Sequence, residues 1–211
     1  MDANIVVTKG DLPEGVTFPN GAVAVDTETL GLNLMRDRLC VCQLSDGQGN
    51  VWLVQFDGTE FSNPDAAPRL KAVLADPRLL KIFHYGRFDI AVLKRDLGVL
   101  CAPVFCTKVA SKLTRTYTDR HGLKDLVQEL VGISLDKQQQ TSFWAAPELS
   151  PEQRQYAASD VLYLHKAKEV LEERLRLHNR LHLAQQCFAY LPARAELDLL
   201  GWEDTDLFAH N

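Results

Sequence analysis

The sequence predicts an α/β fold, a mixed β-sheet flanked by α-helices, on three observations. Three strand-like apolar runs come first, at 22–26, 39–44 and 51–56. Helix-patterned and strand-patterned segments then alternate, and glycine, proline and capping residues mark the boundaries. Ala22-Val23-Ala24-Val25 is continuously apolar, as a strand buried on both faces should be, and closes on Asp26. The second and third runs are separated by Asp46-Gly47-Gln48-Gly49-Asn50, whose turn chemistry reads as a hairpin. A helix over 67–75 should stop near Asp76-Pro77, before a fourth strand at Leu80 to Phe83. The spacing then predicts a helix from Arg87 to Leu97 with Gly98 as its C-terminal stop. A short fifth strand at Val104-Phe105 leads into a helix over 107–114. The clearest helix start is Ser150-Pro151, with Gln153 completing a capping box. Helical pattern continues from there to Leu191-Pro192 with a break near His178-Asn179, and a last short helix ends at Gly201. There is no internal repeat, low-complexity tract or linker.

At 211 residues, with 46% hydrophobic and 24% charged side chains, the chain has the size and composition of one globular domain, 1–211. No apolar stretch reaches the ~18 residues of a membrane span, and Met1-Asp2-Ala3-Asn4 does not open a secretion signal. The five cysteines, an odd number without zinc-ligand spacing, suit reduced thiols in a cytoplasmic protein. The formal charge of −5 favours a small or locally bound substrate over a long electrostatic track for nucleic acid.

The chemistry concentrates in Asp26, Glu28, Asp89, Tyr156 and Asp160. Asp26 and Glu28 are two apart at a strand end, so both carboxylates face the same way. Asp89 lies in His84-Tyr85-Gly86-Arg87-Phe88-Asp89, where a strand hands over to a helix, and Tyr156 and Asp160 share one helix face four residues apart. Converging acids repel and do not all stay ionised unless a cation sits among them. All-oxygen ligands suit Mg²⁺ or Mn²⁺, and two such ions would serve displacement at phosphorus.

These motifs resemble the DEDD superfamily of 3′–5′ exonucleases, in the subgroup whose third motif carries a tyrosine, and within it RNase D. The similarity runs from about Val23 to about His165 and takes in His121-Gly122-Leu123-Lys124-Asp125-Leu126, Leu135-Asp136-Lys137, Ser142-Phe143-Trp144 and Tyr156-Ala157-Ala158-Ser159-Asp160-Val161. The chain is too short for the helical accessory domains of RNase D proper, and with its ending at 201–210 it is most similar to the compact bacterial group called nano-RNase C. The resemblance implies a ribonuclease H-like exonuclease fold and four metal ligands, Asp26, Glu28, Asp89 and Asp160, holding two divalent cations, Mg²⁺ or Mn²⁺. It also implies hydrolysis of short single-stranded RNA, dinucleotides especially, to nucleoside 5′-monophosphates, by a ring-shaped homo-oligomer. Tyr156 would position the attacking water, since a phenol with pKa about 10 is a poor base at neutral pH. The other readings of the same motifs are RNase D-like trimming of longer or structured RNA 3′ ends, DNA exonuclease activity and, more remotely, an inactive nucleic-acid-binding scaffold.

Five further residues are candidates for substrate contact. Thr29 would meet the terminal nucleotide through its hydroxyl or backbone; Leu30 and Leu32 are either apolar wedges against a base or core residues past a strand end. His84 and Arg87 flank the second motif and are read as phosphate contacts, or else His84 as hydrogen-bonded structure at a strand end and Arg87 as a residue that only solvates its helix. Lys108, Lys112 and Arg115 fall on one helix stripe, followed by Arg120, His121 and Lys124, and read as a phosphate contact or a surface for acidic tail residues of a neighbour. Trp144, beside Gln140 and Ser142, is either core or a stacking platform. The apolar Trp202, Leu207 and Phe208 of the tail, 202–211, dock on their own domain or on another subunit.

Overall fold

A computed structural model gives the fold of residues 3–136, 139 and 141–210; Met1, Asp2, Lys137, Gln138, Gln140 and Asn211 lie outside the described residues. Six strands form one sheet: β1 (Asn4–Lys9), β2 (Ala22–Thr29), β3 (Leu39–Ser45), β4 (Asn50–Gln55), β5 (Leu80–Phe83) and β6 (Val104–Cys106), in the order β1-β4-β3-β2-β5-β6. The β2–β3 and β3–β4 pairs are antiparallel, while β1–β4, β2–β5 and β5–β6 are parallel, which makes the sheet mixed. The helices are α1 (Pro68–Ala75), α2 (Arg87–Leu97), α3 (Thr107–Thr114), α4 (Leu123–Val131), α5 (Pro151–Leu162), α6 (Leu164–Leu177) and α7 (Leu181–Leu197). No helix among the described residues is long and apolar enough to cross a membrane.

The expected fold class is the observed one, and the local reasons hold. Every residue of β3 is buried, because strands pair on both its sides and helices cover its faces. Gly98 ends α2 in the left-handed conformation with φ 70°, its N–H donating to the Lys94 carbonyl. At the start of that helix, a Cβ on Gly86 would sit 2.6 Å from Cβ of Phe83. Only a glycine lets the chain leave β5 and begin α2 at once, and that tight turn sets Asp89 close to the strand ends.

Four expectations need correction. β1, an edge strand, was not foreseen; its Ile5-Val6-Val7 run pairs with β4 at Val51-Trp52-Leu53, far along the chain. α4 was unassigned too, although Leu126 and Val127 bury one face and Gly132 closes it at φ 80°. The long helical pattern breaks at Tyr163 as well as near Asn179, and Pro192 lies inside α7 instead of ending it. Phe188, Leu191 and Ala195 bury the α7 face on both sides of the proline, and that packing outweighs one lost backbone hydrogen bond. Finally, Arg115 does not share an exposed stripe with Lys108 and Lys112. The helix stops at Thr114, and Arg115 turns inward to donate to Ser111 Oγ (2.9 Å), the Arg120 carbonyl (2.6 Å) and Glu129 Oε2 (2.5 Å).

Candidate active site

Asp26 and Glu28 sit on β2 and Asp160 on α5, the helix packed across β2, β3 and β4. The capping box forms as expected: Ser150 Oγ accepts from Gln153 N (3.2 Å), and Gln153 Oε1 accepts from Ser150 N (3.0 Å). A helix begun so firmly delivers Tyr156 and Asp160 as one unit. One carboxylate oxygen from each of Asp26, Glu28 and Asp160 lies within 4.8 Å of the other two. Asp89 lines the same cavity, but its Oδ1 accepts a 2.6 Å hydrogen bond from the Thr27 hydroxyl. Thr27 escaped the sequence reading although the signal was present: the two-residue alternation that turns Asp26 and Glu28 one way turns Thr27 the other.

The acids perturb one another strongly. Burial, then the charges of Asp89, Asp160 and Glu28, push Asp26 well above the usual carboxylate range. Burial, followed by Asp160 and Asp89, pushes Glu28 up to about 9. Asp89 rises to about 6 through burial, opposed by the Thr27 hydrogen bond. Burial, then the charges of Asp160, Glu28 and Asp26, raises the Tyr156 phenol well above its ordinary value. Such a set is unfavourable as bare anions and well suited to a hard divalent cation, which these oxygen donors fit by chemistry and spacing.

The acids stand in a cavity of about 470 Å³ that Thr29, Leu32 and His84 also line, together with Tyr85, Lys108 and Lys124. Leu32 is 86% exposed, which removes the core reading for it. Its loop is nevertheless fixed: Asp37 Oδ2 accepts from Asn33 N (3.0 Å), and Arg95 donates to the Leu34 and Asp37 carbonyls. Leu30 is exposed but does not line this cavity, and the Thr29 hydroxyl donates to the Gly31 carbonyl. The Thr107 hydroxyl donates to the Phe83 carbonyl (3.1 Å), so the proton between it and His84 Nδ1 (2.9 Å) belongs to the imidazole. Arg87 is outside the cavity lining, paired with Asp198 and donating to the Glu203 carbonyl. Its side chain clasps the C-terminal segment, which neither the phosphate reading nor that of a solvated helix residue foresaw. Lys108 lies 4.1 Å over the Tyr85 ring. Tyr85, with φ 66°, is held in a backbone conformation that no sequence signal revealed. A larger groove of about 650 Å³ beside Phe105 and Phe188 is mainly apolar, with no acid cluster to support the same chemistry.

A 3′–5′ exonuclease family matches residues 11–176. Ribonuclease D of Gluconacetobacter diazotrophicus is 36% identical over 159 residues, covering 75% of this chain and 39% of its own length. The chain thus spans about two fifths of that relative. Among solved structures, Brucella melitensis NrnC bound to pGG shows 52% identity and a TM-score of 0.94 over 100% of both chains. The same protein with bound Mg²⁺ shows 51% identity and a TM-score of 0.92 over 99% of this chain and 100% of that one. Kinship at that level extends well past the motifs to the whole sheet and its helices: the chain belongs to the DEDD 3′–5′ exonuclease family, in its RNase D-like, tyrosine-bearing branch and close to NrnC.

Proposed function

We propose that the protein is a metal-dependent 3′–5′ exoribonuclease that hydrolyses short oligoribonucleotides, dinucleotides preferentially, to nucleoside 5′-monophosphates. The observation that carries this reading is the convergence of three carboxylates within 4.8 Å in a cavity where Leu32 stands exposed. At about 470 Å³ the cavity has the size of a small-ligand site. The excess of 28 acids over 23 bases disfavours a long phosphate track. Kinship with NrnC, solved with pGG, supports the short substrate.

Asp26, Glu28, Asp89 and Asp160 would hold two divalent cations, Mg²⁺ or Mn²⁺. Such ions, when bound, neutralise phosphate charge and acidify water for attack on phosphorus. The protein's own groups position and exclude. Tyr156 keeps its proton at neutral pH, so it orients the attacking water by hydrogen bonding and does not act as the base. Leu32 presents an apolar face to a base, and Lys108 and Lys124 offer positive charge to phosphate oxygens at the rim. The water oxygen bonds to phosphorus, the bond from phosphorus to the upstream 3′ oxygen breaks, and that oxygen takes up a proton.

The test is turnover, with Mg²⁺ or Mn²⁺, of a 5′-labelled RNA ladder from two to about twenty nucleotides, beside a DNA ladder, the upper lengths exceeding what one single-strand groove tracks. The dinucleotide should be cleaved fastest. Equal or faster trimming of long RNA would favour RNase D-like processing, and equal cleavage of DNA a general exonuclease. Leu32→Ala should raise KM for the dinucleotide by about tenfold or more, the equivalent of burying one leucine, with metal dependence unchanged. An unaltered KM would end its role as a wedge.

We also propose a homo-oligomer in the cytoplasm. Arg194 holds the carbonyls of Trp202 and Glu203, yet Phe208 remains 85% exposed after its contact with Tyr190. An apolar side chain so presented suits a second copy of the chain. Deleting 202–211 should lower the mass measured by light scattering; an unchanged mass would reject the tail as the joining element.

A further inference from the structure

Residues 142–149 form no helix or strand, yet polar side chains strap them down on both sides. From the end of β4, the buried Gln55 donates through Nε2 to the Ala146 carbonyl (2.6 Å). Its Oε1 accepts from Lys9 Nζ (2.8 Å), and the same ammonium reaches the Pro147 carbonyl. From α5, the capping-box residue Gln153 donates to Ser142 Oγ (3.0 Å) and to the Phe143 carbonyl (3.2 Å). Arg154 Nε holds the Leu149 carbonyl at 3.0 Å. Between these anchors Trp144 is driven inward to 3% exposure, its ring 5.9 Å from that of Tyr156 and tilted 40°.

We infer that Trp144 is a positioning residue, which fixes the ring of Tyr156 so that its hydroxyl stays directed at the attacking water in the cavity of the acids. The inference rests on the catalytic reading of Tyr156. A tyrosine ring swings about two torsions, and the backbone of α5 fixes neither. Trp144 packs against the ring and blocks that swing, while Tyr156 lines the cavity of the acids. Core packing alone accounts poorly for a tryptophan here. Its indole N–H is buried with no hydrogen-bond partner among the described residues, a disfavoured arrangement that phenylalanine would avoid. The strap is also costly in polar groups: Gln55, Lys9 and Gln153 are all committed to loop carbonyls or hydroxyls next to one aromatic pair.

The experiment is a double-mutant cycle on the full chain with Mg²⁺ and a dinucleotide RNA: Trp144→Phe, Tyr156→Phe and both, with thermal midpoints recorded. Trp144→Phe should lower kcat about tenfold, leave KM and Mg²⁺ dependence unchanged, and leave the midpoint unchanged or higher. In the Tyr156→Phe background the same change should alter kcat by less than about twofold, because a residue acting only through the hydroxyl loses its effect once that is gone. Gln55→Met, which loosens the strap from the sheet side, should show the same kcat-only loss and the same dependence on Tyr156. Full activity in Tyr156→Phe would overturn the role of Tyr156 and this inference with it. Lost activity in Tyr156→Phe beside unchanged kcat in Trp144→Phe, or additive losses in the double variant, would overturn this inference alone.

Discussion

Replacing Asp26 by asparagine is expected to reduce kcat by at least about 10³-fold, the equivalent of roughly 4 kcal/mol of transition-state stabilisation. The same change should raise the thermal midpoint of the metal-free protein. Both effects have one cause. Asp26 belongs to a buried, repelling set, with Asp89, Asp160 and Glu28 all acting against its ionised form. On the proposed reading it is a metal ligand; without a cation its charge is a liability in a buried place. The amide keeps the shape of the carboxylate and removes the charge, so the fold loses a repulsion while the cation loses an anionic oxygen donor and keeps at most a neutral one. Turnover with the dinucleotide and calorimetry in a chelator, on the same preparation, check the two halves. Activity within tenfold of the parent would remove Asp26 from the ligand set. A lowered midpoint would mean that its carboxylate holds the strand end by hydrogen bonds that outweigh the repulsion.

Removing metal should make stability strongly pH-dependent, in the direction opposite to ordinary acid denaturation. Glu28 is raised from 4.5 to about 9 and Asp89 from 3.8 to about 6. A carboxyl whose folded pKa is raised binds its proton more tightly in the folded state, so the stability it contributes is full below its unfolded pKa. That contribution is lost as pH rises through the folded value. Chelated protein should therefore lose stability as pH climbs from about 4 to about 9, on the order of a few kcal/mol in total. Mg²⁺ should raise the midpoint much more at the upper end of this window than at the lower, because the cation binds the ionised acids. Thermal melts across the window, with chelator and with Mg²⁺, measure both slopes. A chelated protein that is equally stable throughout, or a Mg²⁺ effect independent of pH, would show that these acids are not a metal site. The Glu129 carboxylate works the other way: Arg115, Tyr117 and Arg174 hold it down to about 2, so its contribution is full above its unfolded value of 4.5 and is lost as pH falls from there toward 2, at the acid end of that window and below it.

Much of the site was legible from spacing alone. A strand period of two put Asp26 and Glu28 on one face, a helical spacing of four put Tyr156 and Asp160 on another, and Ser150, Pro151 and Gln153 announced the helix that carries the second pair. Gly98 marked the end of α2, and Asp46 to Asn50 marked the β3–β4 hairpin, in the same way. All of these are local: the residues that decide the backbone lie within a turn or two of the feature they decide.

What stayed hidden depended on partners distant in the chain. β1 is a strand only because β4 is there to pair with it, and Pro192 stays helical because of what α7 packs against. Arg115 and Arg87 read as surface cations until Glu129 and Asp198 claim them, and nothing in the spacing names either acid. The sequence by itself determined the fold class, the family and the candidate acids, because secondary-structure period and motif order are properties of the chain. Only the tertiary structure decided that three acids meet while Thr27 takes hold of the fourth, that Leu32 projects and that Trp144 lies against Tyr156. Those outcomes rest on contacts closed over long loops, where packing and burial, and not local propensity, set the energy.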